Sequence, residues 1–389
     1  MQREALKGIK VVDLTTTIAG PHCTRLLADL GADVVKVEGP EGDMMRTRPP
    51  LRTGASTSFG QLNAGKRSVV LDLKDPLAVK ALRTMAAKAD ILVENYRPGV
   101  TRRLGIAYAQ LAEINPRLIY GSISGYGQTG PSAELAAYAP VIHAASGYDL
   151  AHMSYQPGRT QPDNCGVYIA DVLSGTYAFG AIMAALNQRH ATGKGQQVDV
   201  SMLESMLTLT LTEMQAAQFT IPPPPKRHMF SPVATRDGYI HIAVASERTF
   251  QGLAEAAGRK DWISDPRFEK YMDRRSNWAE LMDELEQWSR TLPSKDVLAA
   301  LDRSNVPASP YRTVQEVMGD PQLEHRHAFA EVADTSGTFK ALNPPFRLSA
   351  SETRAGAFAA ALGEHTAEVL AEAGLASDEV ARLAKAAGG

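Results

Sequence analysis

Cysteine is nearly absent from this sequence. Cys23 and Cys165 are the only two cysteines among 389 residues, which excludes a disulfide framework and gives no zinc-site spacing. The nine histidines add no metal-ligand motif, because His325 and His327 have only Glu324 as a further ligand type beside them. We therefore expect no metal site and predict a protein of the reducing cytoplasm.

A surplus of one charge is also missing. Lys and Arg total 41 against 43 for Asp and Glu, which leaves a formal net charge of -2. Without a basic surplus, nucleic acid and anionic membrane surfaces are not expected partners. An anionic ligand would have to be held by a few local basic side chains.

Long hydrophobic runs are lacking as well. The longest, residues 172–186, includes Ser174 and Thr176 and falls short of the roughly 20 apolar residues that span a bilayer. It predicts a buried helix, and residues 1–12 lack the apolar core of a signal peptide. With 44% hydrophobic and 22% charged residues, the composition is typical of a globular protein, and the length predicts about two to three domains.

Short β-branched runs alternate with amphipathic helical patterns over the first third of the chain. Strands are predicted at 9–14, 33–37, 68–73, 91–93 and 118–123. Runs that are apolar on both faces and separated by helices indicate a parallel sheet covered on both sides. The fold class is therefore α/β, with a doubly wound parallel sheet in a large domain.

Beyond residue 160 the pattern continues and then breaks. Its further elements are a helix at 168–190, a strand at 197–200 and a helix from residue 202. The four prolines at 222–225 predict a stiff connector. A hairpin signal at 237–245 and two helical patterns then predict a small module. We predict a large domain over 1–220, a smaller α+β domain over 221–330, and a C-terminal segment over 331–389 that returns to the large domain.

The carboxyl ends of the predicted strands carry the residues most suited to bind a ligand. In doubly wound sheets ligands bind at this edge, which here points to residues 15–17, Glu38, Lys74, 95–97 and 124–127. The basic residues Lys74, Arg97 and Arg103 fall at or just past strand ends, and together they could hold a phosphorylated ligand without a Walker loop. Taken singly, each would be an ordinary solvated surface charge.

Two local motifs each leave alternatives open. Gly125, Gly127 and Gly130 match the dinucleotide spacing, but that fingerprint needs a helix opening at the glycines, and proline follows instead. An NAD-dependent oxidoreductase rests on this match alone. Asp171 lies in a first helical turn, where an acid is ordinarily favourable with the helix dipole. Among small neighbours such as Gly175, it could instead be an open, shielded carboxylate nucleophile.

Seven segments of the chain, in order and over nearly its whole length, resemble the class III CoA-transferases, the group of formyl-CoA transferase and carnitine CoA-transferase. They are GIKVVDLT (8–15), AGPHCTRLLADLGADVVKVE (19–38), NAGKRSVVLDLK (63–74), ADILVENYRPG (89–99), ISGYGQTGP (123–131), HATGKGQQVDVSM (190–202) and LGEHTAEVL (362–370). The resemblance implies an interlocked homodimer in which each chain has a Rossmann-like, CoA-binding large domain and a small domain. It also implies acyl-CoA and a free carboxylic acid as substrates, with no NAD and no metal.

The resemblance also implies the site. Asp171, in the segment IADVLSG, matches the family's nucleophile, which would pass through an aspartyl anhydride and an aspartyl-CoA thioester. Arg97 and Arg103 would contact CoA phosphates, and Tyr138 would lie beside the thioester. The CoA contacts implied by the resemblance are Ala19, Leu71, Asp72, Leu73, Lys74, Asn95, Tyr96, Arg97, Arg103, Leu104 and Tyr138.

Departures from the family pattern bear on the substrate and on a rival activity. Ile18 stands where formyl-CoA transferase has Gln, and Gly39 stands where that enzyme has an adenine-contacting Arg, so Arg46 is a candidate replacement. A dicarboxylic acid is expected as acceptor, with Arg236, Arg274 and Arg275 as candidates to hold its second carboxylate. The related α-methylacyl-CoA racemases use a His where this chain has Tyr138, a poor proton shuttle. His143 nearby is interpreted as a packed or capping residue.

Overall fold

The computed structural model describes residues 3–156, 158–219 and 231–386, and the chain divides into two compact units. One comprises Met1–Ala151, Pro162–Gln218 and Gln322–Gly389, and the other His152–Gln161 and Phe219–Pro321. The proline connector lies outside the described residues. The predicted domain boundaries at residues 220 and 330 stay predictions, because two compact units in the folded chain do not show which segments fold independently.

A six-stranded parallel sheet forms the centre of the first unit. Its strands are β1 (Lys10–Asp13), β2 (Asp33–Glu38), β3 (Arg67–Val70), β4 (Ile91–Glu94), β5 (Ile119–Ser124) and β6 (Gln197–Ser201). They lie in the order β3-β2-β1-β4-β5-β6, and every neighbouring pair is parallel. The predicted Rossmann-like α/β sheet is confirmed. Because the strand order reverses between β1 and β4, a ligand crevice is expected at their carboxyl ends.

Helices follow these strands, and those that pack on the sheet cover both of its faces. The helices up to residue 216 are α1 (Ala19–Ala28), α2 (Thr57–Asn63), α3 (Pro76–Lys88), α4 (Val100–Arg103), α5 (Tyr108–Ala112), α6 (Ala139–Ala145), α7 (Tyr148–Ser154), α8 (Ile169–Thr192), α9 (Met202–Leu207) and α10 (Leu211–Ala216), with a 3-10 turn at Met44–Thr47. Successive residues of β1 point to opposite faces. Val11 packs in a cluster with α1 and α8, and Val12 packs in a second cluster with α3. Apolar residues on both faces of the strands are thus covered, as the sequence predicts.

The long helix α8 is the core helix that the sequence predicts. Ile182 and Ala185 are buried in the sheet cluster, and α1 packs along the same helix. The helix ends at Gly193, whose φ of 72° is the left-handed conformation that favours glycine. Within the described ranges, α8 is the one helix that is long and apolar enough to cross a membrane. Its packing against the sheet accounts for the apolar character of the buried face.

The second unit contains a small antiparallel sheet and helices. Its strands are β7 (Val233–Ala234), β8 (Tyr239–Ile242) and β9 (Ala308–Pro310), in that order. Its helices are α11 (Glu247–Ala256), α12 (Tyr271–Ser276), α13 (Trp278–Ser289), α14 (Ser294–Arg303) and α15 (Val314–Met318), with a 3-10 turn at Lys260–Ile263. The predicted hairpin is present, since Val233 pairs antiparallel with Ile240. Phe250, Trp262 and Leu281 lie in its core.

The C-terminal part contains a hairpin that precedes two helices. After α16 (Pro321–His325), strands β10 (Phe329–Asp334) and β11 (Gly337–Leu342) form an antiparallel hairpin that the sequence interpretation missed. Its strands have few buried positions, so the apolar alternation that signals a strand is weak. Helices α17 (Thr366–Ala373) and α18 (Ser377–Ala386) follow. Short strand pairs complete the first unit: Arg3–Glu4 with Ser351–Glu352, and Leu51–Arg52 with Ala55–Ser56.

Candidate active site

An open pocket of about 240 Å³ lies at the carboxyl ends of the central strands, where the strand-end rule places a ligand. Six of the site residues implied by the family resemblance line it: Ala19, Asn95, Tyr96, Arg97, Tyr138 and Asp171. The turns after β1 and β5, to which the strand-end rule also points, add Thr16, Thr17, Ser124 and Gly125. The pocket therefore gathers segments that are far apart in the chain, from Thr16 to Met202.

The Asp171 carboxylate lies by the N-termini of two helices. Its own backbone N–H, in the first turn of α8, and the N–H of Ala19, the first residue of α1, both favour its charged form. Burial raises the pKa of Asp171 to about 6, while the two N–H groups act in the opposite direction. Asp171 is therefore mostly ionised at neutral pH and more basic than an exposed aspartate. Those are the properties of a carboxylate nucleophile.

Gly175 permits this close approach of α1 and α8. A Cβ at position 175 would clash with the carbonyl oxygen of Ala19. Gly20, in the first turn of α1, has the same role toward the preceding loop, because a Cβ there would clash with the Thr15 side chain. The small residues near Asp171 thus let two helix N-termini converge on one carboxylate.

A buried cluster of charged residues fixes the loop after β1. The Nζ of Lys66 lies 3.0 Å from Asp13 Oδ2, and the Nζ of Lys36 donates to the Thr15 carbonyl at 2.7 Å. Burial alone would raise the pKa of Asp13, but the two ammonium groups and neighbouring hydroxyls lower it to about 2. This cluster was missed from the sequence, although charged residues inside apolar strands were its visible signal.

The next residues of that loop are held in a strained conformation. Thr17 has a φ of 70°, which is rare for a β-branched residue. Its N–H donates to the Asp43 carboxylate at 3.2 Å, and Asp43 in turn lies 3.0 Å from Lys36 Nζ. Backbone strain of this kind persists only where surrounding contacts impose it, and it is concentrated at functional sites.

Comparison with known proteins decides the family. The sequence profile of CoA-transferase family III matches residues 6–366. The chain belongs to CoA-transferase family III. The human succinyl-CoA:glutarate CoA-transferase is 35% identical over 94% of this chain and 85% of its own length. The formyl-CoA:oxalate CoA-transferase of Streptomyces coelicolor is 32% identical over 100% of both. A CaiB/BaiF family protein of Brucella suis, known from its crystal structure, is 34% identical with a TM-score of 0.82, over 95% of this chain and 99% of its own.

As a class III CoA-transferase, the chain is an enzyme whose family uses CoA thioesters. Among the predicted contacts, Asn95 has a well-defined structural role. Its Oδ1 accepts the Thr16 N–H and its Nδ2 donates to the Thr16 carbonyl, both at 2.9 Å. Asn95 therefore ties the loop after β4 to the loop after β1. Its amide serves the pocket wall rather than standing free for CoA.

Two hydroxyl-bearing residues remain available in the pocket. Tyr138, the residue before α6, is 64% exposed. The Ser124 Oγ, at the end of β5, is buried and has no hydrogen-bond partner. A buried hydroxyl without a partner is costly in a folded protein, so Ser124 is suited to meet a ligand atom.

The other predicted contacts lie outside this pocket. Leu71, Asp72, Leu73 and Lys74 follow β3, two strands away from β1 at the same sheet edge. Leu71 is buried, and both Leu73 and Leu104 pack against the core on that side, so these side chains serve the fold. Arg103 ends the short helix α4. The structure therefore brings together six of the predicted residues, and the remaining six stay predictions for the more distant parts of CoA.

Two candidate arginines are engaged elsewhere. The Arg46 guanidinium binds both oxygens of Glu38, at 2.8 and 2.7 Å, and stacks over Phe59. It is therefore not free to replace the family's adenine-contacting arginine. Arg274 is buried in the second unit, where it lies over Phe250 and 2.8 Å from Glu247. Arg274 thus stabilises its own unit and is wrong as a candidate for the second carboxylate.

The structure bears on two further features, the glycine motif at 125–130 and the side chains that could hold a metal ion. No helix opens between Gly125 and Gly130, and the next helix, α6, begins at Ala139, so the structural context of the dinucleotide fingerprint is missing. Among the residues that the structure describes, no group of three or more His, Cys, Asp or Glu side chains is placed to hold a metal ion.

Proposed function

We propose that this enzyme moves CoA from an acyl-CoA to a free dicarboxylic acid, with Asp171 as the covalent nucleophile. The observation that carries the proposal is the Asp171 carboxylate in an open pocket, where the N–H groups of Ala19 and of its own residue favour its charged form. Both relatives described above are named for dicarboxylate acceptors, glutarate and oxalate. Their names support a diacid as the acceptor here.

The proposed reaction transfers CoA from one acid to another through covalent intermediates on Asp171. An Asp171 oxygen attacks the thioester carbon, the C–S bond breaks, and a mixed anhydride and CoA thiolate result. The thiolate then attacks the aspartyl carbonyl carbon, which releases the donor acid and leaves an aspartyl-CoA thioester. An acceptor carboxylate attacks that thioester, its C–S bond breaks, and a second mixed anhydride and CoA thiolate form. The thiolate then attacks the acceptor carbonyl carbon, and the anhydride C–O bond to the Asp171 oxygen breaks to give the new acyl-CoA. Asp171 is regenerated as a carboxylate, and no thioester is lost to water.

The site residues have distinct proposed roles in these steps. The N–H groups of Ala19 and Asp171, which favour the charged carboxylate, are suited to stabilise an oxyanion on its carbonyl carbon. Arg97, a basic residue of the pocket wall, is proposed to bind a CoA phosphate. Tyr138 and Ser124 are proposed to contact the thioester region. Lys74 and Arg103 are proposed to bind phosphates farther from the pocket.

We also propose that the enzyme is a cytoplasmic homodimer. Apolar side chains are exposed on α8 and α10 of the first unit, including Val172, Tyr177, Leu211 and Met214. Clustered exposed apolar residues are typical of an interface. Light scattering of the purified enzyme should give twice the chain mass of 41.9 kDa, and a monomer mass at micromolar concentration would contradict the dimer.

Exchange assays test the function directly. Succinyl-CoA is incubated with a panel of mono- and dicarboxylates, and new acyl-CoA species are separated by chromatography. We expect transfer to diacids of four or five carbons, none with the Asp171→Asn variant, and little with monocarboxylates. Transfer to monocarboxylates alone would overturn the substrate class. Deuterium exchange at the α-carbon of a 2-methylacyl-CoA, without acyl transfer, would favour the racemase alternative.

A further inference from the structure

His143 contacts the start of the helix that carries Asp171. It lies in α6 and is 2% exposed, and its Nε2 accepts the backbone N–H of Ala170 at 3.2 Å. Its Nδ1 lies 3.7 Å from the Sγ of Cys165. Ala170 immediately precedes Asp171 in the first turn of α8, where N–H groups have no acceptor within the helix.

We propose that His143 is a positioning residue for the Asp171 carboxylate. This inference rests on the proposed function, because it concerns the placement of the proposed nucleophile. The imidazole, with the proton on Nδ1 and none on Nε2, caps α8 from outside the helix and fixes the orientation of its first turn. His143 does not touch substrate; it acts through the backbone at Ala170.

The neighbouring residues at the start of α8 explain why the hydrogen bond from Ala170 to His143 matters. Tyr168 stands at the N-cap position and makes no side-chain capping hydrogen bond. Ala170 is fully buried, so its N–H cannot turn to water if the imidazole acceptor is removed. The first turn of α8 would then have to shift to satisfy that N–H, and Asp171 is the next residue.

Helix α6 also couples the two sides of the pocket. It begins directly after Tyr138 and carries His143 a little more than one turn later. The same rigid element therefore holds Tyr138 on the pocket wall and His143 against the start of α8. A displaced α8 would change the distance between Asp171 and the thioester that Tyr138 is proposed to contact, and small displacements of reacting groups cost large factors in rate.

A pair of substitutions separates the hydrogen bond from the packing. His143→Gln keeps an acceptor oxygen near the position of Nε2, whereas His143→Leu keeps apolar bulk and has no acceptor. For transfer from succinyl-CoA we expect His143→Leu to lower kcat by about tenfold to a hundredfold, with KM for the acyl-CoA changed less than about threefold. We expect His143→Gln to retain most of kcat. Equal loss in both variants, or no loss in His143→Leu, would overturn the proposal.

Two measurements without turnover keep the test independent of the proposed chemistry. Nitrogen NMR of the folded wild-type enzyme, labelled at histidine, should show Nε2 of His143 unprotonated at neutral pH, and a protonated Nε2 would overturn the cap. Amide hydrogen exchange should be faster over residues 169–171 in His143→Leu than in His143→Gln, and equal exchange would overturn it as well. Full transfer activity in Asp171→Asn would instead refute the proposed function, whatever the exchange data show.

Discussion

The backbone N–H of Ala19 favours the charged form of the Asp171 carboxylate, so the first turns of α1 and α8 act on the same group. The contact joins the turn after the first strand to a helix that begins 150 residues later, at a pocket that also contains the predicted Asn95, Arg97 and Tyr138. Burial makes the carboxylate basic, and the two N–H groups limit that effect. The raised pKa of Asp171 and its effects on activity and stability can be measured.

The pH dependence of transfer should report the Asp171 ionisation. Burial raises the pKa of Asp171 to about 6, and only the ionised form is a nucleophile. We expect kcat/KM for the acyl-CoA to be constant above this pKa and to fall about tenfold for each pH unit below it. Initial rates between about pH 5 and pH 8, with enzyme stability checked at each pH, would show this decrease in kcat/KM. A constant rate down to pH 5 would contradict the raised pKa.

Ionisation of Asp171 should also lower the free energy of unfolding of the enzyme. The folded pKa of about 6 lies above the ordinary value of 3.8, so the charged form is disfavoured in the folded enzyme and the cost is complete above pH 6. Asp171→Asn should therefore raise the free energy of unfolding at pH 7.5 by about 1–3 kcal/mol. The gain should shrink as the pH falls toward 3.8. Urea unfolding of both proteins at two pH values measures this gain in the free energy of unfolding. A variant less stable than the wild type at pH 7.5 would contradict the raised pKa of Asp171.

Gly175→Ala should damage the site by separating α1 from α8. The added methyl group would clash with the Ala19 carbonyl oxygen, and relieving the clash should cost about 1–3 kcal/mol of stability. Transfer activity should fall at least tenfold, because the Ala19 N–H moves away from Asp171. Gly238→Ala is the matched control, since a Cβ there meets only ordinary contact. Near-normal activity of Gly175→Ala would contradict the account of this helix contact.

Lys66→Met should strongly destabilise the enzyme. Lys66 is buried with Asp13, and its removal leaves that carboxylate without its closest cation. Breaking a buried pair on one side costs about 3–5 kcal/mol. Lys80→Ala is the control, because the Lys80 side chain is 61% exposed and its pair with Glu379 should contribute at most about 1 kcal/mol. Denaturant unfolding of both variants compares them, and equal losses would contradict the role of the buried cluster.

The sequence predicted the fold and the edge of the sheet where the pocket lies, because both follow from local patterns. Apolar strands, intervening helices and the strand-end rule need only neighbouring residues. The contact between Ala19 and Asp171 and the cap from His143 to Ala170 are different, because each joins segments far apart in the chain. No local spacing specifies such a contact.

Two of the candidate arginines, Arg46 and Arg274, form ion pairs that the sequence did not indicate. Arg46 and Arg274 occur in polar stretches typical of solvated charges, but Glu38 and Glu247 bind them in the fold. An arginine that could bind a ligand and one that serves the structure look alike in sequence, because the partner carboxylate is supplied by tertiary packing. The hairpin of β10 and β11 was missed because its strands bury few residues and carry little apolar alternation.

Trapping with hydroxylamine tests the central claim, covalent catalysis by Asp171, most directly. Hydroxylamine attacks the aspartyl carbonyl of the CoA thioester, displaces the CoA thiol and leaves a hydroxamate on the side chain. After incubation with succinyl-CoA, mass spectrometry of the digested enzyme should find this modification on Asp171, with parallel loss of activity and none without the acyl-CoA. An unmodified Asp171 in an enzyme that keeps full activity under the same treatment would contradict the account.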